Sequence, residues 1–148
     1  MPKCARIIRG NLFSSLVMTI ATYQPIPQLW VEPVGDLILG RIRGVPTQQL
    51  LRQCQDQILQ LVEDLGHGRV LLDALEMEPP SVDVVLSQRA LDERLEKIPF
   101  RRAIVVPNAK LAYLARLAFG EGDYRVFYND MTAAIMWLHE AGPNTSIP

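Results

Sequence analysis

Apolar residues follow two alternating patterns between Leu29 and Glu140. Short runs rich in leucine and β-branched residues are typical of strands, and longer stretches whose apolar residues recur every three or four positions are typical of helices facing a core. Taken in order, these stretches predict the succession β-β-α-β-α-β-α-β-α. This succession predicts a single α/β domain, whose mixed sheet of about five strands begins with a hairpin and carries four crossover or terminal helices.

The hairpin lies in the stretch LWVEPVGDLILGRIR, residues 29–43. Gly35 and Asp36 divide it, and glycine adopts the positive φ of a tight turn without steric cost. Because side chains alternate along a strand, Ile38 and Ile42 face one side of the second strand. The opposite side carries Leu37, Leu39, Arg41 and Arg43. The outer end of this strand is therefore predicted to be the more polar one.

Capping residues and glycines predict where the helices begin and end. The predicted N-caps are Thr47, Ser81 and Asn108, with Asn129 and Asp130 for the last helix. The predicted ends are Gly66 or Gly68, Gly120, and Gly142 with Pro143. In the first helix, apolar residues recur at Leu51, Cys54, Ile58, Leu61, Val62 and Leu65. Cys54 belongs to this stripe, which makes it a small buried hydrophobe and not a nucleophile.

The second predicted helix has an apolar stripe and a charged face. The stripe consists of Val82, Val85, Leu86, Ala90, Leu91, Leu95 and Ile98. The charges are Arg89, Asp92, Glu93, Arg94, Glu96 and Lys97. We interpret them as a solvated face, with pairs such as Glu93 and Lys97 each contributing about 0.2–0.5 kcal/mol.

Size and charge narrow the classes of function. The chain has 148 residues, of which 49% are hydrophobic and 21% charged, as expected of one globular domain. Its 15 basic and 16 acidic residues give a net charge of -1, so we expect no nucleic-acid partner. Cys4 and Cys54 form no CxxC or Cys/His cluster, which indicates neither a disulfide framework nor a zinc site. A reducing, cytoplasmic setting fits this use of cysteine.

The beginning of the chain loosely imitates a secretory signal, because basic residues precede the uncharged residues 11–24. Serine and threonine interrupt that stretch, which falls far short of the roughly 20 apolar residues of a spanning helix. We therefore expect no membrane span and interpret residues 1–27 as an extension, with Met18 as an alternative start of translation. Residues 28–142 form the predicted domain, and residues 143–148 a flexible tail.

Familiar catalytic and cofactor signatures are missing from the sequence. It contains no GxGxxG, GxxxxGK[ST], GxSxG or HExxH. His67 in a loop and His139 near a helix end have no obvious partner, and acids as close as Glu76 and Glu78 are usually just exposed. We therefore expect no enzyme, no cofactor and no metal.

Ligands of open parallel sheets usually meet the loops at the carboxyl ends of the strands. The polar residues predicted there are Arg43, Asp73, Glu76, Ser81, Asn108, Lys110, Asn129 and Asp130. Capping or solvation explains most of them. The cations Arg43 and Lys110 suggest in addition an anionic group at the helix start that Asn108 caps.

Aromatic residues crowd the last third of the chain, among them Tyr113, Phe119, Tyr124, Phe127 and Trp137. The simpler interpretation is that they pack in the core. The alternative is that they line an apolar pocket for a lipid-like molecule.

Four stretches in a fixed order carry a resemblance to a known family: GRIRGVPT, GRVLLDAL, FRRAIVVPNAKLAYLARLAFG and YRVFYNDMTAAIMWL. The chain resembles the STAS family, the domain of anti-sigma-factor antagonists and sulphate-transporter tails. More narrowly, it resembles stand-alone bacterial proteins of SpoIIAA-like fold, often grouped with lipid-binding CRAL-TRIO domains. The resemblance implies a SpoIIAA-like fold and a regulatory role.

The chain departs from the phosphorylation-switched members of that family. In those members the strand equivalent to RVLLD leads to an aspartate-serine-small-glycine motif, whose serine is phosphorylated. Here Asp73 is followed by ALEMEPPSVD, and Ser81 is the nearby serine. The helix dipole would favour a phosphate there, but Glu76, Glu78 and Asp83 would repel it. We therefore interpret Ser81 as an N-cap.

Together these observations predict a non-enzymatic cytoplasmic STAS-like domain that binds another protein or itself as a homodimer. Trp30 and Val31 lie on the predicted hairpin edge, where unpaired backbone groups favour pairing between chains. The alternative is binding of a small apolar or anionic ligand, and a remote third is a hydrolase that uses unremarkable residues.

Overall fold

The structure is a computed structural model that describes residues 26–93, 98, 100–120 and 122–140. Its strands are β1 (Gln28–Val34), β2 (Leu37–Arg43), β3 (Arg69–Asp73), β4 (Arg101–Val106) and β5 (Tyr124–Tyr128). Its helices are α1 (Gln48–Leu65), α2 (Val82–Glu93), α3 (Ala109–Phe119) and α4 (Met131–His139). This succession confirms the predicted α/β fold class.

The five strands form one sheet in the order β1-β2-β3-β4-β5. The first two are antiparallel and joined at Gly35, whose φ of +58° confirms the predicted turn. The remaining neighbours are parallel. Parallel strands end at the same side of a sheet, which brings Arg43, Asp73, Val106 and Tyr128 to one carboxyl edge.

The two faces of the sheet are covered differently. On the first, the three-helix face, Ile38, Val70 and Ile104 pack under α1, α2 and α3. On the second, the one-helix face, Leu71 and Val105 pack under α4. That helix lies against β3, β4 and β5.

Side-chain oxygens cap the helices as predicted. Thr47, Ser81, Asn108 and Asp130 accept from the amides of Leu50, Val84, Leu111 and Ala133, at 3.1, 3.3, 3.0 and 2.9 Å. Asn129 is not a cap; it takes a φ of +49°, and its Nδ2 donates to the Pro107 carbonyl at 3.2 Å. Gly66 ends α1, whereas the predicted stop at Gly142 and Pro143 lies outside the described residues.

The buried side of α2 differs from the predicted stripe. Val82, Leu86 and Ala90 are exposed, and the buried residues are Val85, Gln88 and Asp92. The prediction that Asp92 belongs to a solvated face is therefore wrong. The helix is turned because Asp92 pairs with a buried arginine of the sheet. Glu93 pairs with Arg89 at 3.6 Å, and its predicted partner at position 97 lies outside the described residues.

Candidate functional site

The eight polar residues predicted at the carboxyl edge fall into separate groups. Arg43, Asp73 and Glu76 lie where β2 and β3 end. Asn108, Lys110, Asn129 and Asp130 lie where β4 and β5 lead into α3 and α4. Ser81 caps α2. The structure therefore brings together the first group and, separately, the second.

Asp73 is tied down by two contacts. The parallel register places it opposite Arg41, whose Nε lies 2.8 Å from its Oδ2. Its Oδ1 accepts from the amide of Leu75 at 3.1 Å. The carboxylate is buried, and the arginine side chain remains 44% exposed. Asp73 therefore orients Arg41 toward solvent.

Arg43, two residues further along β2, also forms an ion pair with a carboxylate. Its Nε and Nη2 lie 2.9 and 2.8 Å from Oε2 of Glu76, and its Cζ lies 5.2 Å from the ring centroid of Trp30. Backbone hydrogen bonds from Gly44 to Glu76 and from Glu78 to Gly44, at 3.0 and 2.9 Å, hold the acidic loop beside the strand. Because Arg43 is paired, an anion would have to displace Glu76.

Three of the four residues of the second group form hydrogen bonds with backbone groups. Asn108 and Asp130 are helix caps, and Asn129 bonds to the loop after β4. Lys110 is an exposed residue in the first turn of α3. Capping, one of the two interpretations that the sequence offered, accounts for the contacts of this group.

A cavity of about 120 Å³ lies between the three-helix face and the helices above it. Most of its lining is apolar and includes Cys54, Ile58, Leu72, Met77, Val85 and Leu111. Five polar residues also line it: Gln55, Asp73, Gln88, Asp92 and Arg102. The cavity thus has the composition of a small-molecule site, with an apolar wall and a few polar groups.

The polar end of the cavity contains a buried ion pair. Nη2 of Arg102 lies 3.3 Å from Oδ2 of Asp92, and Nη1 contacts Oδ1. The guanidinium carbon lies 4.6 and 4.4 Å from the ring centroids of Phe100 and Phe119. The ion pair was not predicted from the sequence. Strand alternation could have found Arg102, because it shares a face with the buried Ile104 and so requires a carboxylate nearby.

The five aromatic residues do not line one common pocket, and the simpler interpretation that they pack in the core holds for four of them. Phe119 and Tyr124 pack together on the three-helix face, with ring centroids 5.7 Å apart. Phe127 and Trp137 pack on the opposite face, at 6.0 Å. Tyr113 is 64% exposed. The sheet itself separates these residues, and among them Phe119 lines the cavity.

His139 and Cys54 belong to the residue types that catalysis uses most often, but one is held in a hydrogen bond and the other is buried. His139, for which the sequence showed no partner, has Nε2 2.8 Å from Oδ2 of Asp36. That hydrogen bond is the main reason why the pKa of Asp36 lies below its ordinary value. Burial raises the pKa of the Cys54 thiol to about 12, which keeps it protonated and unreactive. Within the described ranges, His, Cys, Asp and Glu form no group that could hold a metal.

Comparison with known proteins identifies the fold. Neither a protein-family model nor a curated protein sequence matches the chain. An uncharacterized protein of the DUF3478 family from Shewanella loihica PV-4, with a SpoIIAA-like fold, matches at a TM-score of 0.57 and 19% identity, over 79% of this chain and 98% of that one. This chain has a SpoIIAA-like fold.

Two further solved structures agree with this SpoIIAA-like fold. An anti-sigma factor antagonist from Mycobacterium paratuberculosis matches at a TM-score of 0.56 and 14% identity, over 78% of this chain and 96% of that one. The anti-sigma factor antagonist SpoIIAA in its unphosphorylated form matches at 0.56 and 13%, over 77% and 100%. The resemblance drawn from the sequence is confirmed as a fold.

Within the SpoIIAA-like fold, specific polar contacts form after β3. Ala74 follows Asp73, and the Asp73 carboxylate binds Arg41 and the Leu75 amide. The Ser81 hydroxyl accepts from the Val84 amide. Among the residues that the structure describes, no helix combines the length and apolar character that crossing a bilayer requires.

Proposed function

We propose that this chain is a non-enzymatic regulatory domain that binds another protein through the hairpin part of its one-helix face. This surface, the hairpin face, consists of Trp30, Glu32, Leu39, Arg41 and Arg43. The observation that carries the proposal is that Trp30 and both arginines are exposed and yet held in place, by Asp73, by Glu76 and by the Arg43–Trp30 contact.

Such an arrangement favours binding for two physical reasons. Trp and Arg are the residue types that most often dominate the energy of protein interfaces. Side chains already held by ion pairs lose less conformational entropy when a partner arrives. The similarity to two anti-sigma factor antagonists supports a protein as the occupant. The proposed domain acts without an Asp-Ser pair after β3, and the free, buried Cys54 thiol supports a cytoplasmic setting.

The test compares variants of the hairpin face with a matched surface variant. Trp30→Ala and Arg43→Ala remove exposed side chains of the face, and Met136→Ala removes a 65% exposed side chain from α4. Each immobilised variant is used to capture proteins from extract of the source cell, and the captured partner is then purified and titrated calorimetrically. We expect about ten-fold weaker binding for each hairpin-face variant, in line with hot-spot losses of more than 1 kcal/mol. Equal binding by all variants would contradict the proposal.

A second copy of the chain is the other occupant that the sequence analysis named. Sedimentation velocity of the full chain over a range of concentrations detects a homodimer. A dimer that Trp30→Ala dissociates and Met136→Ala preserves would identify the hairpin face as a self-association surface. In that case the partner of the hairpin face would be a second protomer and not another protein.

Binding of an apolar ligand is the second candidate function. The cavity beneath α1, α2 and α3 favours it, because its wall is largely apolar and four of its polar residues, Asp73, Gln88, Asp92 and Arg102, are buried. This site lies on the three-helix face of the sheet, opposite the hairpin face, and Asp73, which binds Arg41, also lines it.

A further inference from the structure

Two polar atoms inside the fold have no hydrogen-bond partner among the described residues. They are Oε1 of Gln88 and Nε of Arg102. Both residues are more than nine-tenths buried, at 8% and 6% exposure, and both line the cavity. Buried polar groups in native proteins are nearly always hydrogen-bonded, so two of them at one cavity call for an explanation.

The two atoms require opposite partners. The carbonyl oxygen of the Gln88 amide accepts a hydrogen bond, and the Arg102 Nε–H donates one. Nε2 of Gln88 donates to Oε1 of Gln55 at 2.9 Å, which leaves the oxygen of the Gln88 amide as the end without a partner. A ligand group that satisfies both atoms must therefore donate and accept at once.

Helix α2 places Gln88 and the carboxylate partner of Arg102 on one face. Gln88 and Asp92 are four residues apart on α2, so their side chains are neighbours on one helix face. Asp92 in turn binds the guanidinium of Arg102. The backbone of Gln88 thus lies about one helical turn, roughly 5.4 Å, from that of the residue whose carboxylate holds the arginine.

We propose that the cavity binds a small, neutral, apolar molecule that carries one hydroxyl group. The hydroxyl oxygen accepts from Arg102 Nε–H, and the hydroxyl hydrogen is donated to Gln88 Oε1. The apolar remainder lies against Ile58, Leu72 and Val85. This proposal rests on the second candidate function, binding of an apolar ligand in this cavity, and does not depend on the proposed protein interaction.

Charge and size define the ligand class. An anion is disfavoured because Asp92 already neutralises Arg102 and because the Gln88 oxygen would repel it. A plain hydrocarbon is disfavoured because it leaves both polar atoms without a partner. The volume of about 120 Å³ is somewhat smaller than a cavity of about 150 Å³ that is known to hold benzene, which indicates a molecule of roughly benzene size.

The first experiment compares three probes on the isotope-labelled full chain by NMR. The probes are n-hexanol, methyl pentyl ether, which has the same number of non-hydrogen atoms but no donor, and hexanoate. We expect n-hexanol to cause saturable shifts of amides around the cavity, and the ether to bind about five-fold more weakly, as the loss of one hydrogen bond predicts. Hexanoate should bind more weakly than n-hexanol. Absence of saturation with n-hexanol, or equal affinity for alcohol and ether, would overturn the proposal.

A pair of variants then tests the polar anchor. Gln88→Leu removes the acceptor and should lower n-hexanol affinity to that of the ether while leaving the ether unchanged. Gln55→Leu removes the same Gln88–Gln55 hydrogen bond but keeps the acceptor, so the preference for the alcohol should persist. A preference that survives Gln88→Leu would overturn the assigned anchor. If Gln88→Leu does not fold, the alcohol-to-ether ratio in the unmodified chain decides the question.

A second pair locates the ligand. Ala115 lines the cavity, and Arg116 is its exposed neighbour on α3. Ala115→Phe fills the space and should abolish binding of n-hexanol and of the ether. Arg116→Phe adds the same ring outside the cavity and should leave both affinities unchanged. Undiminished binding to a folded Ala115→Phe variant would show that the alcohol binds elsewhere.

Discussion

At the scale of single residues, the stability of the fold depends on the presence of both partners of the buried Arg102–Asp92 ion pair. The two side chains are only 7% and 10% exposed. Desolvation of both charges offsets most of their attraction, so the pair contributes little net stability as long as it is intact. Loss of one partner is different, because an uncompensated charge then remains inside the core.

Replacing Asp92 by alanine should therefore lower the free energy of unfolding by about 3–5 kcal/mol. Urea denaturation followed by circular dichroism measures this change. Glu93→Ala, which removes an exposed partner of Arg89, is the control and should change the free energy by less than about 1 kcal/mol. The double variant Asp92→Leu with Arg102→Met should recover most of the loss. A single Asp92→Ala change as mild as the control would show that the pair is not buried in solution.

A second residue-scale prediction concerns the pair formed by Asp36 and His139. The hydrogen bond from His139 lowers the pKa of Asp36 in the folded chain. A carboxyl whose folded pKa is depressed adds stability above its unfolded pKa and loses it as the pH falls through the folded pKa. The contribution of Asp36 should therefore disappear only in acid.

NMR titration of the side-chain carboxyl carbons measures the pKa directly. In the unmodified chain, Asp36 should titrate below the ordinary range of an aspartate. In His139→Leu, its pKa should return toward the ordinary value, since the largest cause of the shift is gone. Glu140→Gln changes a neighbouring charge without touching the hydrogen bond and should leave the pKa low. An unchanged pKa in His139→Leu would refute the assigned cause.

At the scale of elements, the termini of helices could be predicted from sequence, but the face that a helix buries could not always be. Caps depend on a few neighbouring residues, and Thr47, Asn108 and Asp130 were all identified correctly. The rotation of α2 depends on a residue of another element, because Asp92 must meet Arg102. A local hydrophobic pattern carries no information about such a partner.

The cap of α3 gives a prediction at this scale. The Asn108 side chain satisfies the amide of Leu111, so Asn108→Ala should lower the free energy of unfolding by about 1 kcal/mol. Lys110→Ala, an exposed change in the first turn of the same helix, should leave the free energy unchanged within about 0.5 kcal/mol. Thermal or urea denaturation measures both. Equal losses in the two variants would contradict a capping role.

At the scale of the whole molecule, the sheet separates two sites. The hairpin face lies on one side of β1 and β2, and the cavity lies on the other side, under α1, α2 and α3. The carboxyl edge, where the sequence predicted the site, supplies Arg43 to the hairpin face, and Asp73 and Glu76 at that edge hold its two arginines. Arg41 and Trp30 of the hairpin face were outside that prediction.

The domain boundary predicted from the sequence leads to an experiment on the full chain. Among the residues that the structure describes, three apolar clusters cover the two faces of the sheet, and the sequence pattern predicts that residues 1–27 are an extension of the domain. A variant that lacks residues 1–25 should therefore unfold with the same free energy as the full chain, within about 0.5 kcal/mol. Urea denaturation of both forms measures this. A loss of several kcal/mol would show that the first residues belong to the domain.

The sequence by itself determined the order of elements, the hairpin turn and the helix caps, because these depend on periodicity and on residues close along the chain. Only the tertiary structure decided that Arg41 meets Asp73, that Asp92 enters the core and that the aromatic residues lie on opposite sides of the sheet. The physical reason is that strand register and helix rotation join residues far apart in sequence. The free energy of each such contact depends on both partners at once.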